Sequence, residues 1–249
     1  MLVLLPPSET KRPDGSGRAL DLSTLALPEL TDVRATVVDA LVSLSGDVDA
    51  AARVLKLSGR QLGEVAVNAI LRDAATMPAV DRYTGVLYDA LDAAALDARA
   101  RRWLGAHVLV HSAPFGPVGA LDPIPAYRLA AGASLPGILP LRRLWSGPTA
   151  AALAARDPDF VLDLRSEAYV ALGPIPDAVP HAYVRVVTAG DDGTVRALNH
   201  FNKHAKGALV RALAEARPRI GSRAAFMRWA AASGWTVVDG ADGEIALVV

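Results

Sequence analysis

Cysteine is absent from the 249-residue chain. That removes disulfides, thiolate metal sites, iron–sulfur clusters and cysteine nucleophiles together. Net charge is absent as well: lysine plus arginine number 26, as do aspartate plus glutamate, and the pI is near 7.0. A uniformly basic nucleic-acid binder would carry a surplus, although charge can still be segregated onto one face. The opening "MLVLLP" stops at proline after five apolar residues. It is too short for a membrane span or a signal sequence, so a soluble, cytoplasmic protein without a membrane partner is expected. The G-x-S-x-G elbow, the Walker lysine and the dinucleotide glycines are missing too. Lysine itself is scarce, 4 against 22 arginines.

Apolar residues make up 52% of the chain and charged residues 21%, a globular balance. No repeat, low-complexity linker or composition break divides it, so one domain over 1–249 is expected. "MLVLL" reads as a buried strand that releases the polar loop "SETKRPDGSGR". A helix follows Pro28, with Leu30, Val33, Val37, Leu41 and Leu44 at helical spacing. Two shorter helical patterns joined by Ser58-Gly59 make an αα-hairpin over 47–75, fit for core packing or for gripping a DNA backbone.

"AHVLVHS" (106–112) and "FVLDL" (160–164) read as buried strands, separated by a proline-heavy loop and a helix through "TAAALAARDP". "YVRVVTAGDDGTVRALNHF" reads as a β-hairpin. A helix then runs to Arg217, and another lies between Ser222 and Gly234 with Phe226 and Trp229 on one face. "WTVVD" and "EIALVV" form a terminal strand pair. The expected fold class is α/β: one mixed β-sheet flanked by helices, with the helical hairpin inserted.

Two of the four lysines, Lys203 and Lys206, share the heptapeptide "FNKHAKG", placed before the helix "ALVRALAEAR". Backbone N–H groups at a helix start attract anions. An ammonium is a compact charge whose pKa falls on burial or beside another cation, and lysines one turn apart would crowd each other. An anion site and a pair of ordinary solvated lysines are both compatible with this stretch.

His200 and His204 have helix-face spacing but lack the glutamate and third ligand of a zinc helix. His107 and His111 fall on one face of the predicted strand. Ser8, Glu9 and Lys11 follow the first strand, where a rigid sheet holds loop residues in place. Tyr83, Thr84 and Gly85 mark a turn, and Asp122, Tyr127 and Arg128 lie in a proline-stiffened stretch. Trp145 stands in "LWSG", and Asp163, Ser166 and Tyr169 cluster at a strand end. Neither a metal nor a cofactor is expected, because carboxylates and histidines do not cluster in the sequence.

In order, "MLVLLPPSETK", "YTGVLYDAL", "ALDPIPAYRLAAG", "LRRLWSG", "LDLRSEAY" and "NHFNKHAKGALVRAL" resemble the YaaA-type peroxide stress protein family, as an arginine-rich, actinobacterial-like member. The resemblance spans residues 1 to about 212. It implies a soluble cytoplasmic α/β domain with a positively charged cleft, linked to peroxide protection through control of free iron. It also implies double-stranded DNA in the cleft, gripped by a helix-hairpin-helix element at 47–75. Pro6, Ser8, Lys11, Tyr83, Thr84, Gly85, Asp122, Tyr127, Arg128, Trp145, Ser166, Tyr169, Lys203, Lys206 and Gly207 would line or support that cleft.

Gly119-Ala120, Ala130 and His204 depart from the family pattern. With zero net charge, they favour a small-anion site over a DNA saddle. Three functions therefore stand: a stress protein binding nucleic acid or another polyanion, an enzyme acting on a small anionic or nucleotide-like metabolite, or a structural protein. In the enzyme, Lys203 would be clamp or nucleophile, Lys206 and Arg128 anion holders, and Tyr127 or Glu9 a proton carrier.

Overall fold

Leu2, Val3, Leu4 and Leu5 are all buried, and a strand apolar on both faces belongs in the middle of a parallel sheet. The computed structural model describes residues 1–189, 195–196 and 199–249. In chain order its elements are β1 (Leu2–Leu5), α1 (Thr31–Leu44), α2 (Val48–Leu55), α3 (Gly63–Ala69), β2 (Met77–Pro78), α4 (Ala79–Arg82), α5 (Val86–Leu91) and α6 (Ala98–His107). There follow β3 (Val108–Ser112), β4 (Gly116–Gly119), β5 (Pro123–Ile124), α7 (Leu141–Ala155), β6 (Val161–Asp163) and α8 (Glu167–Leu172). The last are β7 (His181–Ala189), β8 (Val195–Arg196), α9 (Asn199–Ala216), α10 (Arg223–Ala232), β9 (Val237–Asp239) and β10 (Glu244–Val248).

The main sheet runs β4-β3-β1-β6-β7-β10-β9, with β8 paired to β7. Its centre is parallel: Val3 pairs with Val108 and Leu162, Val161 with His181, and Tyr183 with Glu244. The outer strands β4 and β9 are antiparallel. This is a single α/β domain with a mixed sheet flanked by helices. From β1 the chain moves to β3 on one side, and from β6 it moves to β7 on the other. The crevice beyond the carboxyl ends of β1 and β6 is thus the switch point where open α/β sheets hold ligands.

Several local expectations are corrected. His107 ends α6 and is not in a strand. Asp97 caps this helix, accepting from the Ala100 N–H at 2.7 Å, and Ala100, Trp103 and Leu104 form its buried stripe. His107 stacks on Trp103 and donates to the Met1 carbonyl at 2.9 Å, while His111 is buried in β3.

The proline-heavy loop contains β4, where Pro117 is tolerated on an edge strand. Helix α7 starts at Leu141, before Trp145, and carries Pro148 within it. Helix α9 starts at Asn199, so "FNKHAKG" lies inside the helix and not ahead of it. Gly207 does not break α9; it lets it sit on α5, for a Cβ there would fall 2.0 Å from the Leu87 carbonyl oxygen. Residues 190–194, which hold the turn of the predicted hairpin, lie outside the described residues. No described helix is long and apolar enough to cross a membrane.

Candidate functional site

The loop leaving β1 is pinned before it reaches the crevice. Tyr88 Oη donates to the Pro6 carbonyl at 2.8 Å. Lys11 forms an isolated antiparallel bridge with Tyr83, flanked by Thr84 N–H to Thr10 O at 3.1 Å and Arg12 N–H to Arg82 O at 2.9 Å. The Ser8 and Thr10 hydroxyls lie 3.2 Å apart, and Thr10 Oγ1 donates to the Thr84 carbonyl at 3.3 Å. Gly85 sits at φ 92°, ψ 176°, a backbone region in which glycine alone is comfortable. This miniature ladder fixes where Lys11 points.

Lys11 Nζ donates to the carbonyls of Ser8 at 2.9 Å and Glu9 at 3.2 Å. It also lies 4.1 Å from the centroid of the Tyr127 ring. Burial, then the Arg128 guanidinium, pulls its pKa down to about 7, outweighing Glu64 and Glu9. Below it, Tyr127 and Tyr83 share a hydroxyl–hydroxyl hydrogen bond of 2.8 Å. Burial raises both phenols above their ordinary pKa, so both are neutral.

At the end of β6 the chain folds Arg165 back under the crevice. Its guanidinium meets Asp163 through Nε–Oδ1 at 2.8 Å and Nη2–Oδ2 at 2.7 Å, with both side chains buried. Nη1 donates to His111 Nδ1 at 2.9 Å and to the Gly173 carbonyl at 2.8 Å. Because arginine only donates, His111 accepts at Nδ1, and burial and Arg165 together hold its pKa well below the usual range.

Lys206 comes from the second turn of α9. It is 5% exposed, with Nζ 3.5 Å from the Arg165 carbonyl oxygen and 5.4 Å from the Tyr183 ring centroid. Burial lowers its pKa to about 8; Asp163 opposes the shift and Arg185 adds to it. The cation that presses on Lys206 is therefore Arg185, not Lys203.

Arg128 is positioned from the other side. Asn68 of α3 accepts from the Arg128 N–H at 2.7 Å and donates to its carbonyl at 2.9 Å. Arg128 Nη1 lies 3.5 Å from Glu9 Oε2. The short helix α3 thus has a visible local use: it holds the segment that carries this arginine.

Of these groups, Lys11, Tyr127, Arg128, Tyr183, Arg185 and Lys206 line one cavity of about 910 Å³. It brings together Pro6, Ser8, Glu9, Lys11, Thr84, Gly85, Tyr127, Arg128, Ser166, Tyr169, Lys203 and Lys206 from the sequence expectation. Others lie elsewhere. Tyr83 is buried behind Tyr127. The Asp122 carboxylate accepts from the N–H groups of Ala26 at 2.6 Å and Gly119 at 2.7 Å, and so serves as a loop clasp. Trp145 is buried, donating to the Ala113 carbonyl at 3.0 Å, and Gly207 is a packing glycine. Lys203 and His204 are exposed on α9; the His200 side chain lies outside the described residues.

Sequence reading missed Tyr183 and Arg185, which line the same cavity from β7. A signal for them existed, since Tyr183 and Arg185 alternate with buried Ala182, Val184 and Val186 and so share one face of the strand. Five cationic side chains, Lys11, Arg128, Arg185, Lys203 and Lys206, line the space against two acidic ones, Glu9 and Glu167. The neutral chain has gathered positive charge here. Among the described residues, no group of three or more His, Asp or Glu is placed to hold a metal ion.

Similarity to known proteins extends over most of the chain. The family described as "Peroxide stress protein YaaA" matches residues 1–238. A UPF0246 protein of Corynebacterium efficiens is 47% identical over 218 residues, covering 86% of this chain and 85% of the relative. One from Corynebacterium glutamicum is 43% identical over 241 residues, covering 95% and 94%. One from Streptomyces coelicolor is 46% identical over 219 residues, covering 86% and 82%.

Proposed function

The chain belongs to the YaaA family of peroxide stress proteins, and from that premise we propose that its cavity binds a compact anion of phosphate or carboxylate type. One observation carries this reading. Lys11 and Lys206 face the same cavity, both desolvated, and among the described residues neither is paired with a carboxylate. Burying an ammonium without a counter-charge costs several kcal/mol, a cost that a bound anion would offset. The volume of about 910 Å³ is that of a small-molecule site.

Duplex binding is the second reading, supported by the cation excess and the exposed rim cations Lys203 and Arg185. It is the weaker one, because phosphates of a duplex are met by exposed side chains and the two most distinctive cations here are recessed. The site would act by charge: Arg128 offers a fork to a carboxylate or phosphate, Lys206 a point charge from below, and neutral Tyr169 a hydroxyl at the wall. Iron control and peroxide protection would then follow from the bound metabolite and not from metal held by the protein.

Calorimetric titration with inorganic pyrophosphate and, separately, with a 20-base-pair duplex at about 50 and 200 mM salt separates the two. The expected result is one pyrophosphate per chain, with affinity weakened about tenfold by Lys206→Met. A duplex that binds tightly at low salt and loses about a thousandfold at high salt, while pyrophosphate does not bind, would overturn the proposal.

A further inference from the structure

Lys11 is held by two carbonyls and the face of the Tyr127 ring, 4.1 Å from its nitrogen, a set that accommodates a neutral amine as well as an ammonium. Its nitrogen has two acceptors, the Ser8 and Glu9 carbonyls. A neutral amine has two N–H bonds and one lone pair. The two carbonyls can take both hydrogens, leaving the lone pair uncommitted in a group that lines the cavity. Its pKa of about 7, set by burial and then by Arg128, supplies free amine at neutral pH. Arginine cannot be deprotonated in a protein, so a chain that writes its charge as arginine has reason to keep lysine where an amine is needed.

Lys206 lacks this arrangement, with one carbonyl at 3.5 Å and a position deeper under the crevice. Arg128 and Lys206 remain to hold a charge at the far end of a bound molecule. Neutral phenols and the Tyr127 ring keep the surroundings of Lys11 apolar enough to favour loss of water from an adduct.

We propose that Lys11 is a carbonyl-reactive amine, forming an imine with a small aldehyde or ketone that also carries a carboxylate or phosphate. The proposal rests on the anion-binding reading above and adds a reacting atom to it. The nitrogen lone pair forms a C–N bond to the carbonyl carbon. The nitrogen gives up its two hydrogens, and the carbonyl oxygen leaves with them as water. No oxidant or reductant takes part.

The test is reductive trapping of the wild-type chain with cyanoborohydride, followed by peptide mapping. The four lysines and single α-amine make the map short, and exposed Lys56, which does not line the cavity, serves as the internal standard. Glyoxylate, glyceraldehyde 3-phosphate and propanal are compared at equal concentration. At least one of the two anionic carbonyls should label Lys11 ten times faster than Lys56, and whichever does so identifies the anion class. Propanal should show no such preference. Labelling of Lys11 no faster than Lys56, preferential labelling of Lys203 or Lys206, or an equal Lys11 preference with propanal would each overturn the proposal. Pyrophosphate titration of the same sample tells the failures apart. If pyrophosphate binds while Lys11 stays unlabelled, only the imine is lost; if it does not bind, the anion site itself is wrong.

Discussion

Two sets of desolvated cations divide the molecule, and they are held in opposite ways. Arg34, Arg82 and Arg165 are each fully buried. Arg34 donates to the carbonyls of Phe115, Leu27, Ala26 and Pro117. Arg82 donates to those of Ile124, Arg12, Asp14 and Ala75, and Arg165 to Asp163, His111 and Gly173. Their forks are spent on lashing loops to the sheet. Lys11 and Lys206 are also desolvated, yet among the described residues their nitrogens meet loop carbonyls and ring faces beside an open cavity. The difference teaches what the two residue types are for: guanidinium groups close the structure, and ammonium groups are left available.

The hardest way to break this comparison is to strip a structural arginine of its counter-charge. Asp163→Asn keeps the shape but leaves Arg165 buried beside a neutral amide. It should destabilise the fold by about 3–5 kcal/mol, read from urea denaturation. A cost under about 1 kcal/mol would mean that Arg165 is not a fold determinant, and the division between the two sets would fail.

That division was half visible in the sequence. The lysine scarcity pointed to Lys11, Lys203 and Lys206, and "MLVLL" and "FVLDL" announced central strands because runs apolar on both faces belong there. The switch-point crevice follows from those two strands. Which lysine of "FNKHAKG" is buried could not be read, because Gly207 looks like a boundary when it is a close-packing site against Leu87. Starting α9 at Asn199 turns Lys206 inward and leaves Lys203 exposed. The arginine clamps were hidden for another reason: their partners are backbone carbonyls, which leave no mark in a side-chain sequence. His111 and Arg165, 54 residues apart, meet only through the pairing of β1 with β3 and β6.

The lysine set should answer with the opposite sign. Lys206→Met exchanges a buried charge, which among the described residues has no carboxylate in direct contact, for an apolar chain of similar length, and should stabilise the protein by about 1–3 kcal/mol at pH 7. The sign with pH follows from the folded pKa of about 8, below the ordinary 10.5. Between those values the unfolded chain binds more protons, so wild-type stability rises with pH across the window. The advantage of the variant should therefore be full below pH 8 and fade towards pH 10.5. Paired denaturation curves at pH 7 and pH 10 check it. A variant less stable than wild type at pH 7 would mean that the Arg165 carbonyl and Tyr183 ring already satisfy the ammonium.

The finest cut is at Glu9, whose exposed carboxylate lies 3.5 Å from Arg128 Nη1 and is 78% accessible. An exposed pair of this kind contributes roughly 0–1 kcal/mol, so Glu9→Gln should leave the urea midpoint nearly unmoved. Its effect belongs to the cavity instead. The carboxylate competes with an incoming anion for Arg128 and also props up the pKa of Lys11. Its removal should raise pyrophosphate affinity about two- to threefold, or roughly half a kcal/mol. The same change should move the pH at which Lys11 is trapped by cyanoborohydride to a lower value. Both shifts arise from one lost negative charge, so they must appear together. If affinity drops while the trapping profile stays put, Glu9 is touching the ligand itself, and the cavity uses its one rim carboxylate beside Arg128 as a contact and not as a placeholder.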